Sequence, residues 1–140
     1  MRTIQPVAGE PSLGTLHMLA TPVTVLNAGV ATVWTDVDCS GSTPVGAKAL
    51  LFCVHTSMTA GPAGTSYNVT ELRKNGTGIA EPLTRGGEVF LIPSINGTRY
   101  DAVSEKTVEC DAGRIIEYLN YAAGCAGGWF STLILCGYYL

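Results

Sequence analysis

Turn signals built on Gly, Pro and Asn-Gly return along this chain at intervals of roughly ten residues, and that spacing constrains the fold more than any other feature. Pro44 with Gly46, Gly61 with Pro62 and Gly64, Asn75-Gly76, Asn96-Gly97, Gly113 and Gly124 to Gly128 cut the sequence into short runs. An amphipathic helix needs a longer window with an apolar stripe of period 3.6. Only Ala102–Asp111 is a helix candidate, and its two valines, Val103 and Val108, are five apart and make a poor stripe.

The runs read as strands instead. Val30–Asp38 places Val33, Thr35 and Val37 on one side and Trp34, Asp36 and Asp38 on the other, the alternation of a half-covered strand. Lys48–Thr56 is apolar on both sides through Leu50, Leu51, Phe52, Cys53 and Val54, which fits a central strand. Tyr67–Lys74 ends on Asn75-Gly76, a dipeptide that accepts positive φ in tight hairpins. Glu88–Ile92 is a further strand, closed by Pro93. Thr107–Cys110 and Arg114–Tyr121 flank Asp111-Ala-Gly113 and read as a hairpin, and a last strand runs from Trp129 or Phe130 to Leu140. The expected fold is all-β: an antiparallel sandwich, jelly-roll-like.

Residues 1–22 differ in texture. Pro6, Pro11 and Pro22 with Gly9 and Gly14 forbid a long helix and break a ladder, so an extended arm is expected. Ile4, Val7, Leu13, Leu16, Met18 and Leu19 make it too apolar for a solvated tail. The domain reading is therefore an arm over 1–22 that lies on a partner, followed by one sandwich over 23–140. The chain of 140 residues is long enough to bury a core without disulfides or a metal.

Composition bears on partners. Charged residues make up 14% of the chain, against about 25% in an average globular protein. With 46% hydrophobic residues and seventeen glycines beside so few charges, part of the surface is expected to be covered by a partner or by copies of the chain itself. The net charge is −3 and the basic residues are scattered singly, so no nucleic-acid partner is expected. The first ten residues lack an apolar run and include Pro6 and Glu10, unlike a signal peptide. The run from Leu133 to Leu140 is too short to span a bilayer, so no membrane partner is expected either.

Catalytic and metal-binding patterns are sparse. The five cysteines, Cys39, Cys53, Cys110, Cys125 and Cys136, form no C-x-x-C pair and read as buried free thiols, Cys53 and Cys136 most clearly. His17 and His55 are isolated, although Cys53 and His55 would share one face of a strand. Asp36 and Asp38 also share a face and are read as solvated carboxylates rather than as ligands of a hard cation. The sequons at Asn68, Asn75 and Asn96 are read as coincidence, two of them being turn dipeptides. Trp129, Tyr100, Tyr121, Tyr138 and Tyr139 would be stacking platforms if the chain were a carbohydrate-binding module, with Trp129 and Tyr138 foremost. They are read first as core or interface. No enzyme activity, cofactor or metal is expected.

Five segments carry a family resemblance: Trp34–Ser40 (WTDVDCS), Thr43–Leu51 (TPVGAKALL), Val69–Gly76 (VTELRKNG), Asp111–Tyr118 (DAGRIIEY) and Leu133–Tyr139 (LILCGYY). In texture and order they resemble a jelly-roll group of tailed-bacteriophage virion proteins that includes capsid decoration, or cement, subunits and some tail-associated modules. The resemblance implies a protein without an active site, located on the capsid surface of a virion. It implies homotrimers near local threefold axes that clamp neighbouring copies of the major capsid protein. Under it, Ile4, Pro6, Val7, Leu13 and Leu16 are the capsid-contact residues of the arm. A tail or fibre module and a carbohydrate-binding module are the alternatives.

Overall fold

The computed structural model describes residues 14–62, 64–77, 92–93 and 95–140. Eight strands are present among them: β1 (Leu16–Gly29), β2 (Thr35–Asp38), β3 (Ala49–Ala60), β4 (Thr65–Lys74), β5 (Ile92–Pro93), β6 (Arg99–Glu109), β7 (Ile115–Ala123) and β8 (Cys125–Tyr139). They form two four-stranded sheets, ordered β1-β8-β3-β6 and β2-β7-β4-β5, with every ladder antiparallel. The sandwich expected from the turn spacing is present, and the strand order is that of an eight-stranded jelly roll.

That order means the chain changes sheet at almost every connection; among the described strands only β4 and β5 are both consecutive and paired. The expected hairpin over Thr107–Tyr121 is therefore corrected. β6 pairs with β3, β7 pairs with β2 and β4, and the Asp111–Arg114 turn carries the chain from one sheet to the other. Local bonds hold the turn: Arg114 N–H donates to Asp111 O at 2.9 Å and Ile115 N–H to Asp111 Oδ1 at 2.8 Å. The tighter crossover is Gly124, the one residue between β7 and β8. Its φ is +69°, and a Cβ there would sit 2.2 Å from Thr65 O, so only glycine fits.

Three other expectations change. The Ala102–Asp111 stretch is strand through Glu109, most of β6. The strand expected over Val30–Asp38 is confined to Thr35–Asp38. The arm expected over 1–22 ends sooner, because Leu16–Pro22 is the first half of β1 and pairs with β8 from Leu16↔Tyr139 onward. The ladder tolerates Pro22 because it falls in a register shift between Met18 and Val23, where no bond is demanded of it. Residues 1–13, and the Glu88–Ile92 strand but for its last residue, lie outside the described residues.

β3 and β8 are the two inner strands of their sheet, β3 as its apolar run suggested. Leu50, Phe52 and Val54 from β3 and Leu133 and Leu135 from β8 meet Leu72, Ile116, Tyr118 and Val37 of the other sheet. Full burial of each large side chain contributes about 1.5–3 kcal/mol. Further along the same inner faces the contents become polar. Thr56, Asn68, Thr70, Asn120 and Ser131 are all buried. Thr70 Oγ1 lies 2.5 Å from both Thr56 Oγ1 and Ser131 Oγ, Ser131 donates to Asn120 Oδ1, and Asn120 Nδ2 donates to Gly29 O at 2.8 Å. Asn68 Nδ2 donates to Ser57 O at 2.9 Å and Phe130 O at 3.3 Å. This network joins the two sheets by directional bonds where the apolar core joins them by contact alone.

Candidate functional site

The outer faces of the two sheets have opposite characters. On β2, β4 and β7 the outward side chains include Asp36, Asp38, Glu71, Arg73 and Glu117. Arg73 binds Glu117 through two bonds, Nε to Oε2 at 2.7 Å and Nη2 to Oε1 at 3.2 Å, and its guanidinium lies 4.1 Å from the Trp34 ring centroid. Further along, the Tyr67 and Tyr121 rings stack with centroids 5.5 Å apart. This is a charged, internally paired surface suited to water.

The other outer face holds no such residues over most of its width. β1, β8 and β3 are adjacent in the sheet, and none of the three contains Asp, Glu, Lys or Arg. Pairing places Leu16, Tyr139 and Ala49 in one row across this face, Met18, Gly137 and Leu51 in the next, and Thr24, Ile134 and Cys53 in a third. Met18 is 61% exposed and Leu16 41% exposed. β6, at one margin, carries the acidic row Asp101, Glu105 and Glu109 around Val103, which is 63% exposed.

At the far end of that face His55 Nε2 lies 2.8 Å from Asp101 Oδ1, and the His55 ring meets Phe130 edge-on at 5.7 Å. Arg99 also binds Asp101, Nε to Oδ2 at 2.9 Å. The Arg99 bonds, helped by His55, hold the Asp101 carboxyl down to about 2. Cys53 and His55 do share this face, as their spacing required. Yet His55 Nε2 is engaged by Asp101, and burial, with Cys136 nearby, pushes the Cys53 thiol up, the reverse of an activated nucleophile.

The remaining residues singled out from the sequence fall in separate places. All five cysteines are free thiols, but the deeply buried ones are Cys39 and Cys110, whereas Cys53 and Cys136 are only half-buried. Burial pushes the Cys39 thiol up to about 12. Asp38 takes the Ser40 N–H at 2.8 Å, which lowers its carboxyl, and Asp36 is exposed. Among the described residues, no group of three or more His, Cys, Asp or Glu comes together to hold a metal ion. Asn68 is buried in the polar network, Asn75 donates to Asp111 Oδ2 at 2.9 Å, and Asn96 is exposed.

Tyr138 is stacked on His17 at 5.3 Å and packs against the core, so its ring is not a free platform. Trp129 is half-buried, and the exposed tyrosine is Tyr121, at 61%. Of the arm residues, Leu16 lies in β1, and Ile4, Pro6, Val7 and Leu13 lie outside the described residues. The residue of the uncharged face missed from the sequence is Ile134; Met18 reads there only as part of an arm, and Val103, on the β6 margin, only as part of a poor helical stripe. The signal was present as three strand-length runs without a charge, but nothing local says that those runs become neighbours.

Among the described residues no helix is long and apolar enough to cross a membrane. No known family model matches the chain, and no curated protein matches it.

Proposed function

We propose that the protein is a structural subunit of a virus particle, a decoration or cement protein that binds the capsid surface as a trimer. The observation that carries this reading is the pairing of a jelly-roll strand order, an architecture used by viral capsid domains, with three adjacent strands that bear no charge on a sheet face. A subunit that works alone in water has no use for such a face, whereas one built into an assembly covers it. The low overall charge and the apolar residues of the segment before β1 support the same reading.

In this reading Ile4, Pro6, Val7 and Leu13 lie against the major capsid protein, each buried apolar side chain contributing about 1.5–3 kcal/mol. Threefold repetition multiplies the attachment through avidity. Leu16 belongs instead to the sandwich, where its strand pairs with β8. The test is therefore truncation before β1. A chain lacking residues 1–13 folds and self-associates like the full chain but does not saturate virus particles stripped of the protein. Saturation by the truncated chain at the full-length concentration sinks the attachment role.

A further inference from the structure

We infer that the outer face of β1, β8 and β3 is where copies of this chain pack against each other. This deepens the assembly reading above and rests on it, since a decoration trimer needs a contact between its own subunits that the capsid does not supply.

Three observations select a second copy as the occupant. The first is charge. Around a threefold axis each subunit meets the next head to tail, and a charge buried there without its counterpart is costly. The rows Leu16–Tyr139, Met18–Leu51 and Thr24–Ile134–Cys53 contain no ionisable carboxylate, ammonium or guanidinium, so they bury against a neighbouring copy with no ion left unpaired. A strongly charged partner would find no counterpart there.

The second observation is size. Three strands about 4.8 Å apart, paired over a length of about 37 Å, present about 530 Å², and the β6 rim brings the footprint to about 700 Å². That is close to the ~800 Å² that each partner contributes to a standard interface. The third is the margin. Asp101, Glu105 and Glu109 on β6, with Arg99 and His55 beside Asp101, form a polar rim along one side and one end of the apolar field. An apolar centre with a charged rim is the layout of a protein interface. β1 adds to the need for cover: it is a 14-residue edge strand with no charged side chain to deter edge pairing.

The experiment is sedimentation equilibrium of the purified full chain at tens of micromolar, with no virus particle present. The wild type sediments as a discrete oligomer of the 14.6 kDa chain, at two or more times its mass. Ile134→Glu, in the middle of the face, raises the self-association Kd at least about a hundredfold. Met18→Glu, at a side chain already 61% exposed and so without consequence for folding, raises it in the same direction. Tyr121→Glu, on the opposite sheet and equally exposed, leaves the mass of the wild-type oligomer unchanged. A single-chain mass for the wild type overturns the inference, as do both face variants keeping the wild-type oligomer. An oligomer that dissociates in the face variants but never loads onto particles supports the inference and sinks only the decoration reading.

Discussion

At the scale of single residues, the most strongly held carboxylate among the described residues is Asp101. Its folded-state pKa is about 2, below the ordinary 3.8, chiefly through the Arg99 bonds. A carboxyl held low contributes stability above its unfolded pKa and loses it as the pH falls through the folded one. The contribution is therefore complete above pH 4 and lost between about pH 4 and pH 2. Its size is modest, because the Asp101 side chain is 41% exposed and solvent screens it. Asp101→Asn is expected to melt below the wild type at pH 6, with the difference in Tm closing as both are titrated to pH 2. A difference that stays constant across that range contradicts the assignment.

At the scale of elements, the β4, β7 and β8 contents show where sequence reasoning stops. β3 was legible as a central strand because Leu50 to Val54 is apolar on both faces, and it does lie between β8 and β6. The sheet change after β6 was not, because Asp111 and Gly113 specify a turn but not which strand receives the chain. β1 was obscured by Pro22, whose cost vanishes in a register shift that only the tertiary pairing reveals. Thr56, Thr70, Asn120 and Ser131, one polar residue on each of four strands, look locally like solvent-facing positions, yet they face inward and bond across the sandwich. That network makes its own prediction. Asn120→Ala removes the side-chain donor to the buried Gly29 carbonyl and the acceptor of the Ser131 hydroxyl, which keeps only Thr70, at about 1–3 kcal/mol for a buried group left unpaired. Urea unfolding measures the loss, and a change below about 0.5 kcal/mol, the scatter of ordinary surface substitutions, would show the bonds to be dispensable.

At the scale of the whole molecule, the chain distributes its few charges unevenly. They are concentrated on β4, β6, β7, the β2 outer edge and the loops, leaving β1, β8 and β3 bare. The resemblance to decoration proteins, the jelly-roll order and the bare face all bear on one account, in which the fold is a building unit rather than a container for a reaction. The candidate surface was legible only in part: low charge announced that something is covered, but which strands become neighbours depends on crossovers that no local pattern encodes. The most direct measurement of the account is the copy number of the chain in purified virus particles, by quantitative mass spectrometry against the major capsid protein. The account predicts several hundred copies in a ratio fixed by the capsid lattice. Absence of the chain from particles, or a dozen copies or fewer, would contradict it.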